Sequence, residues 1–163
     1  MDYLYIGKIV NTHGIKGEVR IISDFKFKDR IFIKDMNIYI GKNKTKEIIN
    51  TYRVHKNYDM ITMQGYSNIN EILHYKGQAV YILRSDLKLN DNEYLDEDLI
   101  NMNVICNNKT VGKVKRIERY STNNLIVVNN GVKYFLIPFV NDIIKIDLKK
   151  RQIIVEDIKG LIE

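Results

Sequence analysis

The sequence predicts a mostly β protein made of two small β-barrels in series. Three observations lead to this fold class. Short apolar runs alternate with polar residues at period two, clusters of Gly, Asn, Asp and Lys separate the runs, and a polar segment without periodicity divides the chain. Several short strands with regular turn signals are typical of small barrels and sandwiches. With 163 residues the chain is long enough for two small domains.

Strand signals occur in both halves of the chain. In order they are VRII, NIYI, MITM and AVYIL, then VICNN, NLIVV, YFLI and QIIVE. Asn130 and Gly131 lie between NLIVV and VKYFLI, which is a strong hairpin signal, and the polar centre of IDLKKRQIIV predicts a second hairpin. Pro138 follows YFLI and has no N–H to donate, so regular pairing is predicted to end there.

One segment, SNINEILHYKG, has helical rather than alternating spacing. Asn68 followed by Glu71 three residues later predicts a capping box, and the next apolar residues fall on one helical face. Gly77 is a good C-terminal stop. We therefore expect one short helix in the first domain, closing one end of the first barrel.

The predicted domain boundary lies in the polar segment from Ser85 to Leu99, which becomes acidic toward its end. Such a segment, with no clear periodicity, is typical of a linker. We expect a first domain at residues 1–87, a linker at 88–94 and a second domain at 95–163.

The positive charge is concentrated in the first half. The chain has net charge +6, and residues 1–87 carry 14 Lys and Arg against 9 Asp and Glu, whereas residues 88–163 carry 12 against 11. Positions 26 to 56 contain only three acidic residues but nine basic ones. The basic residues are Lys26, Lys28, Arg30, Lys34, Lys42, Lys44, Lys46, Arg53 and Lys56. This asymmetry favours a polyanionic partner near the first domain, although a solvated basic surface would have the same composition.

The single cysteine, Cys106, excludes an internal disulfide framework and fits a reducing compartment. One Cys and three scattered His give no zinc-ligand spacing, and Cys106 in the apolar run VIC is typical of a core thiol. The N-terminus shows no signal peptide, and no run approaches the roughly 20 apolar residues of a membrane span. We expect a cytoplasmic protein with no metal, no cofactor and no membrane partner.

The stretch VNTHGIKGEVRI allows three interpretations. A phosphate loop would require a helix after the glycines, but the residues that follow alternate like a strand. A catalytic His13 would require a nucleophile and an orienting carboxylate, and no pattern supplies them. The remaining interpretation is a tight turn in which Gly14 and Gly17 provide positive φ, so that His13, Lys16 and Arg20 project from a rigid hairpin and can offer donors to phosphate or to an acidic protein surface.

Segments in both halves of the sequence resemble a known family. GKIVNTHGIKGEVRI followed by SDF is similar to the N-terminal signature of the RimM family of ribosome maturation factors. In the second half EDLINMNV, VGKVKRIE, STNNLIVV, YFLIPFVNDIIKIDLKKRQIIVE and the terminal KGLIE resemble its C-terminal region in order and spacing. The resemblance runs over nearly the whole chain.

The resemblance implies an N-terminal six-stranded barrel of the translation-protein type followed by a PRC-barrel. It implies a non-catalytic assembly factor that binds small-subunit ribosomal protein nineteen and acts, as a monomer, on the immature 30S subunit and 16S rRNA, assisting head maturation and rRNA processing. The alternatives are a general RNA-binding barrel protein of the translation apparatus, a hydrolase using His13, and a PRC-barrel scaffold of electron-transport or membrane systems.

The run EYLDEDLIN departs from the family pattern of two tyrosines and a tryptophan before Asp-Leu-Ile-Gly. Tyr94 stands at the first tyrosine, Leu95 at the second, Asp96 at the tryptophan and Asn101 at the glycine, where Asn tolerates the left-handed conformation. The acidic residues 96–98 are also candidates to meet a basic partner. The expected protein-binding residues are Tyr94, Asp98, Asn123, Pro138, Phe139 and Val140.

Overall fold

The computed structural model describes residues 1–156, and the chain divides into two compact units, Met1–Lys88 and Leu89–Glu163. The terminal KGLIE, which contributed to the family resemblance, lies outside the described residues. Two 3₁₀ turns, Arg84–Asp86 and Asp96–Leu99, stand at the end of the first unit and near the start of the second.

The first unit is a closed six-stranded barrel. Its strands follow the order β1-β2-β5-β4-β3-β6, with every neighbouring pair antiparallel. Inward side chains such as Ile6, Ile38 and Ile61 are almost fully buried, which supplies the apolar driving force for closure. The strands are β1 (Tyr3–His13), β2 (Glu18–Ile22), β3 (Asn37–Ile40), β4 (Thr45–His55), β5 (Tyr58–Met63) and β6 (Ala79–Leu83).

The prediction of one short helix is confirmed in number and wrong in place. The α-helix of the described chain is α1 (Lys28–Ile31), whereas the segment predicted to be helical forms two successive 3₁₀ turns, Ile69–Glu71 and Leu73–Tyr75. Glu71 caps the segment as predicted, since its Oε1 accepts the N–H of Asn68 at 3.1 Å. Ile72, at φ −119° and ψ 0°, separates the two turns, because its apolar side chain is drawn into the barrel core.

The second unit is a six-stranded sheet in the order β10-β9-β8-β7-β12-β11, in which only the β12–β7 pair is parallel among the described strands. Its core cluster includes Leu99, Val104, Ile126, Ile137 and Ile153. The predicted mostly β architecture of two small units in series, the first with six strands, is confirmed. The strands are β7 (Asn103–Cys106), β8 (Lys109–Arg119), β9 (Asn124–Asn129), β10 (Tyr134–Pro138), β11 (Ile144–Asp147) and β12 (Gln152–Val155).

Both predicted hairpins of the second half form. The loop between β9 and β10 is longer than a two-residue turn, and Asn130 stabilises it by accepting the N–H groups of Val132 and Lys133 at 2.9 Å. The regular pairing ends at Pro138 as predicted, because its pair with Leu125 is the last of the β9–β10 register, and the N–H of Phe139 adds one further bond to the carbonyl of Asn124. Strand β10 is at the sheet edge, where a missing N–H breaks no ladder bond.

Candidate RNA and protein interfaces

The stretch THGIKG is the turn of the β1–β2 hairpin. His13 pairs with Glu18, and Gly14 and Gly17 take φ values of +68° and +91°, so the predicted tight turn is confirmed. The turn is held from outside because the N–H of Ile69 donates to the carbonyl of Ile15 at 3.0 Å. The loop therefore presents its side chains from a fixed backbone.

Basic and imidazole side chains from three elements meet beside this turn. We call His13, Arg20, Arg53, His55 and Lys56 the hairpin cluster. The Arg20 guanidinium lies 2.7 Å from Nδ1 of His13, and the rings of His13 and His55 are 5.4 Å apart between centroids. Desolvation lowers the pKa of His55, and repulsion from the neighbouring cationic side chains lowers it further. The cluster thus combines several donors with an imidazole whose charged form is disfavoured.

Glu18 does not complete a catalytic pair with His13. Its carboxylate accepts two hydrogen bonds from Arg53, at 2.8 and 2.7 Å, and this hydrogen bonding holds the pKa of Glu18 below its usual range. The nitrogen of His13 that would contact an orienting carboxylate instead faces Arg20. The arrangement places guanidinium and imidazole donors side by side, which is suited to anion binding. Lys16, also predicted here, is exposed at the loop tip.

A second assembly forms in the second unit where β8 and β10 end and β9 begins. Asp96 holds the Arg119 guanidinium through two contacts, at 2.8 and 2.5 Å, and that guanidinium lies 5.0 Å from the ring centre of Phe139. The N–H of Phe139 donates to the carbonyl of Asn124 at 2.8 Å. We call Asp96, Arg119, Asn124 and Phe139 the β10 end cluster. The bidentate pairing holds the Arg119 guanidinium against the Phe139 ring.

The structure brings some of the predicted protein-binding residues to this cluster and separates others. Phe139 and Tyr94 both pack against the core of the second unit while remaining partly exposed, and burial raises the pKa of Tyr94. Val140, next to the Pro138 bend, is 46% exposed. Asn123 is exposed and its carbonyl accepts the N–H of Tyr120.

Asp98 has a local structural contact. Its Oδ2 accepts the N–H of Leu95 at 2.8 Å, which caps the 3₁₀ turn at Asp96–Leu99. Leu95 itself is buried, and Asn101 adopts φ +68°, the left-handed conformation predicted for it. Of the acidic run, Glu97 is the exposed member.

His55 and Arg119 were not among the predicted site residues, and Arg53 was predicted only as one of nine basic residues of the first unit. His55 and Arg53 lie far from His13 in the chain and meet it only through barrel closure, and Arg119 reaches Asp96 across 23 positions. In residues 1–156 no group of three His, Cys, Asp or Glu side chains is placed to hold a metal ion. Within the same range no helix has the length and apolar character needed to cross a membrane.

Each of the two units matches a protein-family model. Residues 4–87 match the RimM N-terminal domain and residues 96–161 match the RimM PRC barrel domain. The chain belongs to the RimM family. The sheet of the second unit is accordingly a RimM PRC-barrel domain, as the resemblance implied.

Named relatives extend over nearly the whole chain. Ribosome maturation factor RimM of Staphylococcus aureus (strain bovine RF122 / ET3-1) is 35% identical over 97% of this chain and 98% of its own length. Ribosome maturation factor RimM of Halalkalibacterium halodurans is 34% identical over 99% and 98%. A crystal structure of a 16S ribosomal RNA processing protein RimM from Pseudomonas aeruginosa is similar with a TM-score of 0.43 and 21% identity, covering 96% and 98%. The RimM family is thus represented here by ribosome maturation factors.

Proposed function

We propose that the chain is a non-catalytic, cytoplasmic ribosome assembly factor. It binds small-subunit ribosomal protein nineteen and the immature 30S subunit, and it assists maturation of the subunit head and processing of 16S rRNA. The observation that carries this proposal is the match of both units to RimM domains, together with relatives named ribosome maturation factors along nearly their full length. The protein acts as a monomer that keeps two binding surfaces, one for RNA and one for protein.

The β10 end cluster is the proposed protein-binding surface. Phe139 and Val140 offer apolar area at a proline-fixed bend, with Tyr94 and Asn123 as polar neighbours and Asp98 holding the preceding turn. Because Arg119, held by Asp96, already packs against the Phe139 ring, part of the side-chain ordering that binding requires is present in the free protein. A partly exposed aromatic with a fixed orientation is typical of an interface anchor.

The hairpin cluster and the β1–β2 turn beside it are the proposed rRNA contact. His13, Lys16 and Arg20 supply donors, while Gly14 and Gly17 set the backbone that presents them. Contacts of this kind position a protein on phosphate without reading sequence. If several donors touch phosphate, affinity falls with rising salt by roughly 0.7–0.9 log unit per neutralised phosphate for each log unit of salt.

The protein surface is tested by titrating the full chain with purified small-subunit ribosomal protein nineteen. Val140→Asp places a charge beside the anchor and is expected to weaken binding by more than tenfold. Val132→Asp is the matched control, because Val132 is 92% exposed in the β9–β10 loop of the same sheet. Equal affinity of the two variants would contradict the assigned surface.

The RNA contact is tested by measuring binding of the full chain to immature 30S subunits from 50 to 300 mM salt. The variant Lys16→Gln with Arg20→Gln is expected to reduce the salt slope, whereas Lys145→Gln, an exposed lysine of the second unit, leaves it unchanged. A salt-independent interaction of the unmodified chain would refute the RNA part of the proposal. Binding to RNA with none to the ribosomal protein would instead favour a general RNA-binding barrel.

A further inference from the structure

Four tyrosines form a continuous patch on the outside of the first barrel. Tyr5 is in register with Tyr81 across the β1–β6 pair, and Tyr81 is in register with Tyr39 across the β6–β3 pair. Tyr3 lies against this line, with its ring centroid 5.3 Å from that of Tyr39 and 6.4 Å from that of Tyr81. We call Tyr3, Tyr5, Tyr39 and Tyr81 the tyrosine row.

The row is not part of the barrel core. The residues that alternate with it, such as Leu4, Ile38 and Ile82, are the ones buried inside, and Tyr5 is 54% exposed. The Tyr5 and Tyr81 rings meet edge to face at 5.9 Å and 74°, an arrangement that leaves ring faces available for a further stacking partner. The first unit therefore carries an aromatic surface that folding alone does not require.

A basic hairpin borders the row. The loop between β3 and β4 carries Lys42 and Lys44, and Lys46, the second residue of β4, is in register with Tyr39. The Lys44 ammonium lies 4.2 Å from the ring centre of Tyr81. In the described part of the chain none of these three lysines is in an ion pair. Between the loop and Tyr81 is an open cleft of about 710 Å³ whose lining also includes His74.

Burial, together with the negative charge of Asp86, raises the pKa of Tyr39, so its hydroxyl remains a hydrogen-bond donor at neutral pH. Lys44 and Lys46 bring positive charge to the edge of this aromatic surface.

We propose that the tyrosine row and three lysines of the β3–β4 hairpin bind a single-stranded segment of RNA. Its bases stack on the tyrosine rings, and its phosphates are contacted by Lys42, Lys44 and Lys46. Only the choice of RNA as the polyanion rests on the proposed function. A groove that combines aromatic platforms with cations is the general arrangement for binding unpaired nucleic acid. Lys44, which covers Tyr81 in the free protein, moves from the ring to a phosphate as a base takes its place.

The surface discriminates against duplex RNA. Bases of an A-form helix are already stacked on one another, and their edges lie in grooves that exclude flat aromatic platforms. Each stacked base contributes roughly a 5- to 150-fold gain in affinity. Binding of an unpaired segment is therefore expected to exceed binding of the same sequence in a duplex by at least tenfold.

The test uses the full chain and a fluorescently labelled 12-nucleotide RNA, single-stranded or annealed to its complement. Tyr5→Leu and Tyr81→Leu keep apolar area and lose the ring, and each is expected to raise the Kd at least fivefold, while Tyr5→Phe retains tight binding. The matched control is Tyr134→Leu, because Tyr134 is 58% exposed on a strand of the second unit. Lys44→Gln is expected to lower the salt slope by about 0.7. Thermal melts confirm that the variants are folded.

Three results would overturn the inference: no measurable binding of the single-stranded RNA, equal binding of single-stranded and duplex RNA, or tyrosine-row variants that match Tyr134→Leu. The same variants are assayed with immature 30S subunits. If the unmodified chain binds those subunits but not the oligonucleotide, the tyrosine row is refuted while the proposed function stands. Binding of the oligonucleotide without the subunits refutes the proposed function alone, and an acidic protein that binds the row in place of RNA refutes this inference.

Discussion

Replacing Lys28 by Met should destabilise the first unit more than the loss of an ordinary surface lysine. The Lys28 ammonium lies 2.8 Å from Oδ2 of Asp59, whose side chain is only 3% exposed, and the lysine side chain is 36% exposed. The other carboxylate oxygen of Asp59 accepts the Tyr52 hydroxyl at 2.6 Å. The pair and the Tyr52 hydrogen bond therefore connect α1 to strands β4 and β5. Among residues 1–156, Asp59 is the one buried carboxylate that forms an ion pair.

The magnitude follows from the exposure of the two partners. Removing one partner of a fully buried ion pair costs about 3–5 kcal/mol, whereas exposed pairs contribute about 0–1 kcal/mol. Since water reaches the lysine but hardly the aspartate, we expect a loss of about 2 kcal/mol. For a unit of this size that corresponds to a decrease in Tm of roughly 8–16 °C. Adding Asp59→Asn to Lys28→Met should recover part of the loss, because Asn still accepts the Tyr52 hydroxyl and leaves no buried charge.

The assay is urea and thermal unfolding of the full chain, followed by circular dichroism, with attention to the transition of the first unit. Lys34→Met is the control, because Lys34 is exposed and forms no ion pair with any residue in the described range. A loss below 0.5 kcal/mol, or one equal to that of the control, would refute the reasoning that this pair fixes α1 to the barrel.

Three further predictions concern pH and packing. Hydrogen bonds from Arg53 hold the pKa of Glu18 below 4.5. The ionised Glu18 side chain therefore adds to the free energy of unfolding fully above pH 4.5, and this contribution is lost as pH falls through the pKa of the folded state. Acid unfolding of Glu18→Gln should lack this part of the pH dependence. The pKa of His55 is lowered in the free protein, and a phosphate beside the ring would favour its protonated form. Affinity for immature 30S subunits should therefore rise as pH falls from 7 to 6, and His55→Gln should remove most of this pH dependence. Gly112→Ala should cost about 1–3 kcal/mol in thermal unfolding of the second unit, since a Cβ there would lie 2.7 Å from the carbonyl of Asn129; an unchanged Tm would contradict this close approach.

Sequence patterning predicted the strands that bury alternate side chains. NIYI and AVYIL coincide with β3 and β6 because every second residue in them faces the core. The long strands β4 and β8 were not predicted, because each buries only one residue completely, Ile49 and Val114. A bulge in each, next to that buried residue, also interrupts the alternation.

The helix was misplaced for a related reason. Helix α1 has four residues, too few to show a helical period, and no side chain caps its start. Its position depends on packing of Phe32 against Tyr52, where the rings stack at 5.4 Å, and on the Lys28–Asp59 pair. These contacts join residues 20 and 31 positions apart, and contacts over such distances leave no local signal in a sequence.

The candidate surfaces were predicted in part. The glycine spacing of THGIKG indicated the rigid turn, because positive φ is specific to a few residue types, but nothing local connected His13 with His55. In the second unit the sequence predicted the Pro138 bend, whereas the Asp96–Arg119 pair joins two residues 23 positions apart and leaves no local signal. The tyrosine row was visible only after β1, β6 and β3 had been placed side by side.

The central claim is that the chain acts on the small ribosomal subunit while that subunit is still immature. The most direct measurement is co-sedimentation of the full chain with purified immature and mature 30S subunits at physiological salt. An assembly factor must leave the finished particle, so we predict saturable binding to immature subunits and at least tenfold weaker binding to mature ones. Equal binding to both particles, or binding to neither, would contradict the account.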